Sequence, residues 1–127
     1  MSDKSQQPHV PSRNFRDSFL NSVTGLKEIF KTQRNARIIL IVAIVAVILG
    51  FIFQVTLLEM AILILTIGLV LVSEVFNTMT EEILDIISPH YNHKARIIKD
   101  IAAGAVLVSC LMSLAVGALI FLKRIFW

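Results

Sequence analysis

The chain has one cysteine, Cys110, so neither a disulfide framework nor a thiolate metal centre can be built within it. Charged residues make up only 17% of it, too few to coat an ordinary soluble domain. No GxxxxGK[ST], GxGxxG, zinc signature or nucleophile elbow occurs, which removes the common soluble nucleotide frames and hydrolase elbows. Nor does any apolar stretch precede the first long hydrophobic run, so no cleaved signal peptide is expected and the first span should remain as an anchor. What is abundant is apolar: 56% of residues, above the roughly 45–50% of soluble domains. These residues lie in long runs behind a polar, basic stretch over residues 1–37, and such segregation marks a membrane protein of one domain.

The runs predict an all-α integral membrane fold: three transmembrane helices preceded by an amphipathic interfacial helix. The spans are expected at about 38–58, 60–87 and 95–123, with the amphipathic helix at about 15–36. Gln54, Thr56 and Glu59 mark the first break, and Ser88-Pro89 ends the second helix because proline disfavours helix before itself. Asn92 or His93 can open the next. In the amphipathic segment Phe15, Phe19, Val23, Leu26 and Phe30 recur every three or four residues, as in a helix lying on a membrane or packing on its own bundle. Residues 1–14 read as a flexible polar tail ahead of a domain over 15–127. Lys123, Arg124, Phe126 and Trp127 suit a membrane interface.

Charge asymmetry gives an expected orientation. Lys4, Arg13, Arg16, Lys27, Lys31, Arg34 and Arg37 precede the first span, the first connection has no Lys or Arg, and the second carries Lys94, Arg96 and Lys99. The positive-inside rule then puts the amino terminus and the second connection in the cytoplasm, with Lys123 and Arg124 mildly opposed.

The chemistry sits at the end of the second span. At about 100° per residue, Glu74, Asn77, Thr78, Glu81 and Asp85 share one stripe of the helix, with Glu82 at its margin. A charge at mid-membrane costs at least roughly 2.5–3.5 kcal/mol, falling toward the interface, so Glu74 calls for a reason. Stacked carboxylates also repel, and a divalent cation held together with phosphate relieves that repulsion. The competing reading makes Glu81, Glu82 and Asp85 a solvated extension of the helix. His90 and His93 lie in the loop and are left out of the site. Ala102, Ala103, Gly104, Ala105, Ser109, Ser113 and Gly117 let helices approach closely, in a tight bundle or an oligomer.

The pattern Glu74-x-x-Asn77-Thr78-x-x-Glu81-x-x-x-Asp85, followed by Lys99-Asp100-Ile101-Ala102-Ala103-Gly104-Ala105-Val106-Leu107, resembles the prokaryotic diacylglycerol kinase family, which includes the undecaprenol kinases of Gram-positive bacteria. The likeness covers roughly residues 15–121. It implies a homotrimer in the bacterial cell membrane, transferring the γ-phosphoryl group of ATP, with Mg²⁺, to the hydroxyl of a membrane lipid alcohol. Undecaprenol is favoured over diacylglycerol, and nothing points to nucleic acid. On the matching positions the resemblance makes Glu74 the general base and Glu81 a magnesium ligand. Asn77 would place substrate and phosphate, Lys99 would offset phosphate charge, and Asp85 and Asp100 would support the nucleotide. Gln33, in Thr32-Gln33-Arg34-Asn35, stands where the family carries a second metal-binding glutamate. An amide oxygen is a weaker magnesium ligand, so a lowered metal affinity is expected. Met79 stands where alanine is usual. A non-enzymatic scaffold, a degenerate relative or a small proton-coupled transporter using Glu74 is the alternative.

Overall fold

The computed structural model describes residues 14–126, and over them the chain forms helices α1 (Phe15–Thr32), α2 (Arg34–Ile52), α3 (Leu57–Ile87) and α4 (His93–Phe126). The all-helical expectation holds: α2, α3 and α4 are each long and apolar enough to cross a membrane, and α1 is amphipathic. Apart from Asn14, the expected polar tail lies outside the described residues, as does Trp127.

Asn14 starts α1 by accepting a hydrogen bond from the Asp17 N–H at 2.9 Å, a side-chain cap for one of the orphan donors of the first turn. No residue of α1 is buried, and Phe15 and Phe19 are 86% and 60% exposed. Its apolar side is thus bare within the single chain, as suits a helix resting on lipid. The helix ends at Thr32 because Gln33 is extended (φ −103°, ψ 112°), although the sequence pattern carries it to about 36. Helix α2 therefore starts at Arg34, and Arg37 Nη1 reaches back to the Lys31 carbonyl at 3.1 Å across the corner.

The end of α2 also differs from the hydropathy reading. Leu57 and Leu58, apolar enough to extend the first span, instead open α3. The reason is a capping box at Thr56 and Glu59. The Thr56 hydroxyl accepts from the Glu59 N–H at 3.2 Å, and the Glu59 carboxylate accepts from the Thr56 N–H at 2.8 Å. Gln54, at φ 53°, turns the chain ahead of this cap.

The short turns between α2, α3 and α4 make neighbouring helices antiparallel, with small residues in the seam and an ion pair at each end of α3 and α4. Ala36, Ala43 and Gly50 form the buried seam of α2, and a Cβ on Gly50 would come within 2.7 Å of Met60 Cε. On the other side α3 and α4 are tied at one end by Asp85 and Lys99, 2.6 Å apart, and at the other by Glu59 and Arg124. The second pair accounts for Arg124 at the end where positive charge was unexpected: Glu59 neutralises it. Helix α3 is central, flanked by α2 and α4. Its 31 residues span ~46 Å at ~1.5 Å each, against a hydrocarbon core of ~30 Å, so the last turns of α3 run on beyond the apolar layer.

Candidate active site

The stripe on α3 passes from dry to wet along its length. Glu74 is 3% exposed, Asn77 9% and Thr78 6%, while Glu81 is half-buried and the Asp85 side chain is 63% exposed. These residues share a face because three- and four-residue steps repeat the helical turn, and that face is turned inward where α3 passes between its neighbours. Glu74 makes neither of the two salt bridges found among the described residues. It is a buried acid without a cation.

One turn on, Asn77 Nδ2 donates to Glu81 Oε1 at 3.4 Å, while Asn77 Oδ1 is buried with no hydrogen-bond partner. A buried acceptor left open costs free energy unless something occupies it, and a hydroxyl or a cation would do so. At the wet end Lys99 Nζ reaches from α4 to Asp85 Oδ1 at 2.6 Å. The last four turns of α3 and the first turns of α4 thus bring Glu74, Asn77, Glu81, Asp85 and Lys99 into one ladder. Asp100 is not in it: the residue is exposed and makes no salt bridge among the described residues.

Gln33 belongs to the corner between α1 and α2, is half-buried, and makes no side-chain capping bond. Its height follows from the packing of Gly50 on Met60. Antiparallel helices of equal rise keep step, so moving back from Gly50 to Ala36 matches moving forward from Met60 to Glu74. Gln33 is then level with Asn77. Two further residues share this region. Thr78 is buried between Glu74 and Glu81, and its place on the stripe was visible from helical spacing. Ser109 of α4, 4% exposed, is level with Glu74 by the same rule applied from the Glu59–Arg124 pair. Its hydroxyl bonds back to the Ala105 and Val106 carbonyls, and its spacing resembles that of any small packing residue.

A divalent ion suits this ladder in one particular way. Among the described residues no three His, Cys, Asp or Glu side chains converge to hold a metal by themselves. Magnesium, however, is commonly bound by one or two carboxylates with water and substrate phosphates completing its shell. Glu81 with the open Asn77 Oδ1 beside it fits that kind of partial site.

Comparison with known proteins bears on the whole of this region. The profile of the family described as prokaryotic diacylglycerol kinase matches residues 20–121, which take in Gln33, the ladder on α3 and the start of α4. The chain belongs to the prokaryotic diacylglycerol kinase family. Within that family it is similar to an undecaprenol kinase of Bacillus subtilis, 34% identical over 111 residues, covering 87% of this chain and 90% of the relative. It is also similar to a diacylglycerol kinase of Synechocystis, 33% identical over 110 residues, covering 86% of this chain and 63% of that relative. The diacylglycerol kinase family resemblance noted on the two motifs is thereby established for the chain as a whole.

Proposed function

We propose that the chain is a membrane lipid kinase that transfers the γ-phosphoryl group of ATP, with Mg²⁺, to a lipid alcohol, undecaprenol in preference to diacylglycerol. The observation that carries this reading is the buried, cation-free Glu74 standing at the dry end of a ladder whose wet end offers Lys99. A lipid hydroxyl comes from the apolar side and a nucleotide from the polar side, and the ladder joins the two. Family membership supports the reaction class, and the similarity to the undecaprenol kinase over nearly its full length supports the acceptor.

In the proposed reaction the lipid oxygen forms a bond to the γ-phosphorus as the bond from that phosphorus to the β–γ bridging oxygen breaks. ADP leaves, and the hydroxyl proton passes to Glu74. Phosphoryl transfer asks mainly for positioning and charge neutralisation, so side chains that hold and orient can supply most of the effect. Asn77 holds the hydroxyl or a phosphate oxygen, Lys99 exchanges part of its contact with Asp85 for phosphate, and Asp85 and Asp100 face the nucleotide side. Magnesium, bound through Glu81 with Gln33 as a weaker neutral neighbour, would offset the charge of the triphosphate.

The basic residues of α1 and of the α3–α4 connection support a cytoplasmic placement for the wet end, where ATP is found. We assign the assembly as a homotrimer in the bacterial cell membrane. The test is transfer of label from ATP to undecaprenol and to diacylglycerol in mixed micelles. Faster labelling of undecaprenol is expected. Labelling of diacylglycerol alone would reverse the acceptor, and labelling of neither by folded protein would end the kinase reading.

A further inference from the structure

Helices α2 and α4 both pack on α3 and leave between them an apolar cavity of about 470 Å³. That volume falls within the roughly 300–1,000 Å³ usual for ligand sites. Its walls include Ile39 and Ala43 of α2, Val70 of α3, and Cys110 and Gly117 of α4, with Phe121 at one end. Phe121, at the end of the lining away from the ladder, meets Phe53 edge-on, ring centroids 5.9 Å apart. From Cys110 to Phe121 the cavity runs ~16 Å along α4.

The other end leads to the catalytic ladder. Val70 on the rim lies one turn before Glu74 on the same buried face of α3. Side chains on an α-helix lean toward its amino terminus, so Glu74 leans toward Val70 and the cavity mouth. A hydroxyl held at Glu74 therefore has its hydrocarbon directed into this space. Only two polar side chains, Ser113 and Cys110, occur in the lining. The ester carbonyls of a diacylglycerol would find almost no donors there, whereas a polyprenyl chain carries no polar atom to satisfy.

We infer that this cavity is the tail site of the acceptor, taking the first isoprenoid units of a polyprenol next to its hydroxyl, with the remaining chain leaving sideways between α2 and α4. Gly117 keeps the site wide, and Phe121 stands at its far end. The inference rests on Glu74 as the group that meets the lipid hydroxyl, and it makes α2 and α4 determinants of acceptor choice.

Cys110, the chain's one cysteine, is a built-in reporter of this site. Maleimide alkylation of Cys110 in the full chain, in lipid nanodiscs, is measured with farnesol, with dioleoylglycerol and with neither. Farnesol is expected to slow alkylation about tenfold at ~10 times its Kd, and dioleoylglycerol far less. Gly117 lines the cavity and a Cβ there meets nothing within 4 Å, so the side chain of Gly117→Leu starts into open space and takes up cavity volume. It should abolish protection and raise the KM for undecaprenol by about tenfold or more, with the KM for ATP unchanged. Phosphorylation without any protection of Cys110 would overturn the tail site and leave the kinase reading standing. Protection without phosphorylation would do the reverse. Equal protection by dioleoylglycerol would overturn the polyprenyl assignment. Thiols in apolar walls are often inert, so if Cys110 does not react even without added lipid, competition decides: farnesol that fails to inhibit undecaprenol phosphorylation, or inhibits the parent and the Gly117→Leu protein equally, would overturn the site.

Discussion

A carboxylate 3% exposed and without a cationic partner among the described residues, as Glu74 is, stays in a fold only at some cost in stability. The residue-scale predictions follow from that cost and from the contacts around it. Lys99 and Asp85 are both more than a third exposed, so their bridge does little for the fold. Lys99→Met should leave thermal unfolding in detergent nearly unmoved while raising the KM for ATP roughly ten- to hundredfold, the value of a charge-assisted contact to phosphate. Gln33→Glu should shift the magnesium dependence of the rate to lower concentration. An unchanged magnesium titration would place Gln33 away from the metal. Much of this was legible beforehand: Glu74, Asn77, Thr78 and Glu81 stand out as polar residues recurring at helical spacing inside an apolar run. The Glu59–Arg124 pair was not, because its partners are 65 residues apart and meet only through the register of two long helices. Arg124 alone looks like an interfacial cation, and Glu59 alone like part of a loop.

At the scale of elements, the architecture depends on where α3 begins. The capping box at Thr56 and Glu59 sets that point, and the Glu59 carboxylate also holds Arg124 in the last turn of α4. Thr56→Ala should lower stability by about 1 kcal/mol, the usual loss for a helix cap. Glu59→Ala should cost more than Thr56→Ala, since it removes the reciprocal cap bond and leaves Arg124 without its partner. Thermal unfolding of the two variants in one detergent checks the order, and equal losses would mean that the ion pair contributes nothing. Hydropathy identified three spans but misplaced both edges of the first. Leucines at 57 and 58 read alike on either side of a turn, and only the cap chemistry of Thr56 and Glu59 separates them. The extended backbone at Gln33 left no comparable mark in an amphipathic pattern that runs on through it.

Among the described residues few side chains are buried, and long aliphatic faces of α2, α3 and α4 are bare, as expected of a thin bundle whose helices are long and apolar enough to cross a membrane. The charge pattern predicts that cysteines placed at Asn92 and Gln54, in a Cys110→Ser background, will label from opposite sides of sealed vesicles, Asn92 from the cytoplasmic side. Labelling of both from one side would contradict the orientation and leave the ladder without access to ATP. Cross-linking in the membrane should give trimers.

The claim on which the rest stands is that Glu74 accepts the proton of the lipid hydroxyl. The most direct measurement is the rate of phosphoryl transfer from ATP to undecaprenol by Glu74→Gln and Glu74→Asp proteins of native helicity. General-base catalysis predicts a fall of roughly 10²–10⁴-fold for the amide and a partial recovery for the shorter acid. A Glu74→Gln protein that phosphorylates undecaprenol at the rate of the parent would contradict it.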